Sequence, residues 1–119
     1  MLRLSAQTLD TVAFYYQNED KATALVKQEV YLKLSAEQLG VGTMAYAEVK
    51  QALATLAFKY GSIASATALQ WDVALIVREN YGEDTLAYVQ AINKVAYLYE
   101  LKGNYAIAQR MYEECLVIA

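Results

Sequence analysis

The side chains that carry most chemistry at neutral pH are sparse in this chain, and their spacing limits what it can do. Histidine is absent, which removes the commonest general base and transition-metal ligand. The single cysteine, Cys115, makes neither an internal disulfide nor, alone, a zinc site. It lies in an apolar stripe beside Glu113 and Glu114, which fits a packed core thiol better than a reactive one. Adjacent carboxylates occur at Glu19-Asp20, Glu83-Asp84 and Glu113-Glu114, but neighbours on a helix point about 100° apart and do not converge on one substrate. The first two pairs fall at expected helix starts, where negative charge favours the helix dipole. Gly40-Val41-Gly42 has no preceding strand and no third glycine, so it is not a nucleotide-binding loop. The chain is therefore expected not to be an enzyme and to hold no cofactor and no metal.

The elements that would position any site come next. Residues 1–119 are expected to form one domain, long enough for a continuous core. The 57% hydrophobic content argues against disorder, and 19% charge leaves a thinly charged surface. Ten basic and 13 acidic residues are scattered along the chain, giving a formal net charge of −3. No concentrated positive field matches a phosphate backbone, so nucleic acid is not an expected partner. The longest purely aliphatic run, Val73-Ala74-Leu75-Ile76-Val77, is far short of the ~20 residues that cross a bilayer. Met1-Leu2-Arg3-Leu4-Ser5 lacks the long apolar segment of a secretory signal. The expectation is a cytoplasmic protein with no membrane contact.

Proline is absent, and apolar positions recur at helical spacing throughout. Tyr105, Ala108, Met111, Tyr112, Cys115 and Leu116 form the clearest stripe, with Arg110, Glu113 and Glu114 on the remaining face. The chain also matches itself at a shift of 42 residues. Ala22, Ala64 and Ala106 share one phase, and Ala24, Ala66 and Ala108 another. Val12, Ala54 and Ala96 match in size class, as do Phe14, Leu56 and Leu98, and Leu34, Ile76 and Ile118. Asp20, Ser62 and Asn104 are helix N-cap types in register, and Gly61 and Gly103 precede two of them. Gly40 and Gly82 mark a longer connection, again 42 apart.

Each unit thus reads as helix, tight turn, helix, longer loop, with repeats at approximately 1–42, 43–84 and 85–119. The first helices are expected over Leu4–Asn18, Thr43–Tyr60 and Asp84–Lys102, and the second over Asp20–Leu34, Ser62–Glu79 and Asn104–Ala119. Turns of two or three residues force the paired helices to be antiparallel neighbours.

The segment from Val95 to Ala108 resembles the tetratricopeptide repeat, with its large–small pair, aromatic, glycine, aromatic and alanine at Val95, Ala96, Tyr99, Gly103, Tyr105 and Ala108. The 42-residue period is similar to the kinesin-light-chain variety, which has an extended loop between repeats. The match weakens toward the N-terminus: Ala57 and Gln70 stand at aromatic positions, Glu19 replaces the turn glycine, and the family's closing proline is missing. The resemblance implies an all-α, right-handed α-solenoid of three helix–turn–helix repeats. It also implies a binding scaffold whose first helices line a concave groove.

By that resemblance the groove positions are Leu9, Ala13, Tyr16 and Gln17 in the first unit. In the second they are Glu48, Gln51, Thr55, Phe58 and Lys59, and in the third Gln90, Asn93, Tyr97, Glu100 and Leu101. Amides such as Gln51, Gln90 and Asn93 both donate to and accept from a peptide backbone, and Tyr16, Phe58 and Tyr97 offer rigid apolar area. Asn93 matches the first of two asparagines of the kinesin-light-chain pattern, although Lys94 stands in place of the second. A two-carboxylate clamp for chaperone C-termini is excluded, because only Lys59 and Asn93 of the required side chains stand at groove positions.

Tyr99, Tyr105 and Tyr112 are family core positions. Tyr15, Tyr31, Tyr60 and Tyr88 fall on or near buried stripes, and Trp71 fits an inter-repeat contact. A protein or peptide partner is the first functional expectation. Self-association through Leu116, Val117 and Ile118, as a homo-oligomer or within a longer array, is the alternative, because a solenoid end normally carries a polar cap.

Overall fold

The computed structural model describes residues 6–118, with side chains described from 9 to 117. Its described residues form six α-helices and no strand: α1 (Ala6–Gln17), α2 (Lys21–Leu39), α3 (Met44–Lys59), α4 (Ile63–Tyr81), α5 (Leu86–Leu101) and α6 (Tyr105–Ile118). Each helix packs against the next in the chain, and α1 also touches α3. The backbone spans 43 × 32 × 15 Å. Its shortest dimension is about that of two helix backbones lying ~10 Å apart.

The turns show why the helices break where they do. In α1–α2, the N–H of Asp20 donates to the carbonyl of Tyr15 (2.8 Å) and that of Glu19 to Tyr16 (3.1 Å). The same pair of bonds recurs 42 residues on, from Ser62 to Ala57 and Gly61 to Phe58, and again from Asn104 to Tyr99 and Gly103 to Glu100. This is the Schellman arrangement, which satisfies the last carbonyls of a helix by turning one residue left-handed. That residue is Gly61 (φ 86°) or Gly103 (φ 84°) in two turns and Glu19 (φ 60°) in the other. The next residue closes one helix and opens its successor: the carbonyls of Asp20, Ser62 and Asn104 accept from Ala24, Ala66 and Ala108. Asp20 also takes the N–H of Thr23 on its carboxylate at 3.1 Å. Bonds from the Thr23 hydroxyl, and secondarily its backbone N–H, hold the Asp20 carboxyl below the usual range.

The longer connections repeat as closely. Gly40 and Gly82 end α2 and α4 by donating to Ala36 and Arg78. Three residues on, the hydroxyls of Thr43 and Thr85 donate back to the Gly40 and Gly82 carbonyls, both at 3.0 Å. The same oxygens accept from the N–H groups of Tyr46 and Tyr88, both at 3.2 Å, capping α3 and α5. The Asn80 amide then ties the end of α4 to the carbonyl of Gly42 at 2.8 Å.

Three boundaries differ most from the sequence-based expectation, and one is the end of the fourth helix, which continues past Glu79 to Tyr81 and stops at Gly82. The second helix continues past Leu34 to Leu39, because nothing breaks it before Gly40 and the buried Ser35 hydroxyl is satisfied on the carbonyl of Tyr31 at 2.7 Å. The fifth helix opens after Thr85 and not at Asp84, since the threonine hydroxyl is the group that caps.

Of the two recurring alanine phases only one packs. Ala24, Ala66 and Ala108 are buried, and so are Val12, Ala54 and Ala96. Ala22, Ala64 and Ala106 face solvent. The buried residues fall into two contiguous groups, one around Leu53 with Val12, Tyr31, Ala66 and Leu69, the other around Val95 with Val73, Ile76, Ile92 and Met111. Trp71 sits between the second and third helix pairs, where its indole N–H donates to the Tyr99 hydroxyl at 2.9 Å. Tyr105, expected in the core, is 68% exposed, because it lies at the very start of α6 outside the stripe formed by Ala108, Met111 and Cys115.

Candidate functional site

The chain leaves a furrow between α3 and α5, with α4 beneath it. Two cavities follow one another along it. The first, about 190 Å³, is lined by Ala47, Glu48 and Gln51 of α3, Val73 of α4, and Gln90 and Lys94 of α5, among others. The second, about 160 Å³, is lined by Thr55 and Phe58 of α3, Ala66 and Gln70 of α4, and Lys94, Tyr97 and Leu98 of α5. Lys94 borders both, and its ammonium donates to the Gln51 side-chain oxygen at 3.4 Å. Their centres are roughly 12 Å apart along α3 at 1.5 Å per helical residue, the length of three to four residues of extended peptide.

Helical spacing explains the composition. Glu48, Gln51, Thr55 and Phe58 step by three or four on α3, as Gln90, Lys94 and Tyr97 do on α5, so each helix turns one stripe into the furrow. Phe58 and Tyr97 are both exposed, their ring centroids 6.3 Å apart and tilted by 51°. Rings held open to water are pre-organised apolar area that loses little entropy on contact. Thr55 spends its hydroxyl on the Gln51 carbonyl at 3.0 Å, so it contributes surface more than hydrogen-bonding capacity.

Of the residues expected to line a groove, the structure gathers Glu48, Gln51, Thr55, Phe58, Gln90 and Tyr97 on these two cavities. Lys59 is exposed at the end of α3, its ammonium 5.5 Å from the centre of the Tyr60 ring. Asn93 lies on the opposite flank of α5, in a depression shared with Val89, Tyr112, Cys115 and Leu116. Glu100 faces the same way and accepts from the Tyr112 hydroxyl at 3.2 Å. Leu101 is exposed beyond them. Tyr16 is buried and not on a free surface: its ring stacks on Tyr60 at 5.7 Å, because α1 turns that side chain onto α3. Lys94 and Gln70 were missed as site residues, Lys94 because the family pattern places an asparagine there. Gln70 sits on a second helix, and its position in the stripe looks like pure packing.

Cys115 is buried, its thiol 3.8 Å from the Val89 carbonyl. Burial, and secondarily the Glu114 carboxylate, push its pKa up, away from thiolate chemistry. Leu116 and Val117 are 77% and 88% exposed on α6, while the side chain of Ile118 lies outside the described residues. Among the described residues, no helix is long and apolar enough to cross a membrane. Among them too, no group of three or more histidine, cysteine or acidic side chains is placed to hold a metal ion. In comparison with known proteins, no family model matches the chain and no curated protein matches it in sequence.

Proposed function

We propose that the chain is a repeat-built binding module, a tetratricopeptide-like solenoid whose α3–α5 furrow takes an extended peptide segment of another protein. The observation that carries this reading is the pair of adjoining cavities, which between them present two exposed aromatic rings and four amide or ammonium groups, those of Gln51, Gln70, Gln90 and Lys94. Gln51 and Gln90 supply donors and acceptors for a peptide backbone, and the cavities take side chains three or four residues apart. The matching pair of backbone bonds in the three tight turns, and the shared threonine-to-glycine bond of the two longer loops, support stacked equivalent units.

The test is selection from a random short-peptide display library, followed by titration of the isotope-labelled protein with the winning peptides. Backbone amide shifts should cluster at Gln51, Phe58, Gln90 and Tyr97, and Gln51→Ala with Phe58→Ala should weaken binding more than ten-fold. Shifts confined to α2 and α4, or an unaffected double variant, would overturn the reading.

Self-association through α6 is the second reading, favoured by one comparison within the chain. Leu116 is largely exposed where its counterpart one unit earlier, Ala74, is fully buried under α5. Covering Leu116, Val117 and the neighbouring depression with another helix would bury apolar area in the same register. Sedimentation at increasing concentration decides it: a mass that rises in the native chain and not in Leu116→Glu supports the contact, and a constant monomer removes it.

A further inference from the structure

Gln70 is only 6% exposed, and its side-chain oxygen has no hydrogen-bond partner among the described residues. A buried carbonyl left unpaired is costly, and most native structures avoid it. The 42-residue register shows that an amide is not the only side chain this position accommodates. The third unit puts Tyr112 there, with its hydroxyl on Glu100. The first puts Gln28 there, whose side-chain oxygen is unpaired as well, while its amide nitrogen reaches the Ser65 hydroxyl at 3.5 Å. Only Gln70 lies on the furrow, where it lines the cavity between Phe58 and Tyr97.

We propose that this cavity is a subsite for one hydroxylated six-membered aromatic ring, read by the Gln70 carbonyl. The inference rests on the furrow being a binding surface and adds what one part of it selects. At about 160 Å³ the cavity is close to the ~150 Å³ known to admit benzene, which suits a single ring and crowds a fused pair. Its lining from Ala54, Ala66 and Leu98 is apolar, and Phe58 and Tyr97 offer ring faces and edges for T-shaped or offset contact. An acceptor inside an apolar pocket favours a ligand that brings a donor: a phenol has one, and a plain phenyl ring or aliphatic chain does not. The torsion that orients a glutamine amide is broad, so a small swing turns the oxygen from its closed packing toward an entering hydroxyl.

The probes are p-cresol and toluene, which share a ring and a methyl group and differ by the hydroxyl. The native chain should bind p-cresol roughly five-fold or more tightly than toluene, in line with one buried hydrogen bond. Side-chain resonances of Thr55, Phe58, Tyr97 and Leu98 should move. Gln70→Met should abolish the preference, while Gln28→Met keeps it; circular dichroism confirms that both variants are folded. N-Acetyl-tyrosinamide separates the two sources of such a ring: binding in the same place assigns the cavity to a tyrosine side chain, and exclusion beside bound p-cresol assigns it to a free phenol. Equal affinity for p-cresol and toluene, or a preference that survives Gln70→Met, overturns the subsite. Peptides that still shift Gln51 and Gln90 in that event leave the furrow reading standing, and their failure removes it separately.

Discussion

Glu19 occupies a backbone conformation that its two counterparts, Gly61 and Gly103, reach without a steric penalty. A β-carbon in the left-handed region costs about 1 kcal/mol, part of which glycine returns through its freer unfolded chain. Glu19→Gly should therefore raise the urea midpoint, by the equivalent of about 0.5–1 kcal/mol. Gly103→Ala should lower stability by about 1 kcal/mol. No atom lies within 4 Å of the β-carbon it would add, so the whole loss is backbone. Equal and opposite shifts would show that the three turns are one device. Asp20, beside Glu19, supplies a pH dependence of known sign. Its folded pKa is depressed, so its contribution is fully present above the unfolded carboxylate value near 4 and fades as pH falls through the folded one. The stability gap between the native chain and Asp20→Ala should be clear in urea titrations at pH 6 and shrink at pH 2.5.

At the scale of the helix, small side chains set how closely neighbours approach. Ala66 is fully buried, whereas Ala64, two residues earlier on the same helix, faces water. Ala66→Leu should cost roughly 1–3 kcal/mol through overpacking, and Ala64→Leu should stay within about 0.5 kcal/mol of the native chain. Thermal unfolding of the two variants measures the contrast directly. The periodic spacing of such alanines, with the cap and turn residues at one offset, made six helices and their order legible from the sequence. The apolar stripe that carries Ala108 also marks its phase, with Ala24 and Ala66, as the inward one. Thr85 was not legible as a cap, since Asp84 is an equally good cap type and only the bond back to the Gly82 carbonyl selects the threonine. The furrow was partly legible. Gln51, Gln90, Phe58 and Tyr97 follow from the resemblance to a repeat family, but Gln70 reaches the furrow through the gap between two other helices, a relation that exists only after packing. Tyr16 fails for the opposite reason, since nothing in its spacing reveals that Tyr60 covers it.

Across the whole molecule, the first helix pair is held less closely than the rest. A cavity of about 460 Å³ opens between α2, α3 and α4, rimmed by Gln28, Ser65 and the Lys50–Asp72 ion pair at 2.6 Å. The junction of α4 with α5 is instead bridged by Trp71 and Tyr99. On the proposed stacking, stability is close to a sum of units and their junctions, so weak junctions open first. Amide exchange in mild denaturant should release α1 and α2 before α3 to α6; simultaneous release of all six helices would refute a graded molecule. The matched loops at Gly40–Thr43 and Gly82–Thr85 carry one more consequence. Both ends of the stretch from 43 to 84 share the threonine-to-glycine and tyrosine-to-threonine bonds, so on the proposed stacking that stretch would be interchangeable with its own copy. On that reading a second one needs no new joint, and each added cassette would lengthen the furrow by one more pair of facing stripes. The reach of the molecule is thus a matter of counting, set by how many times a single pattern of linkage is used.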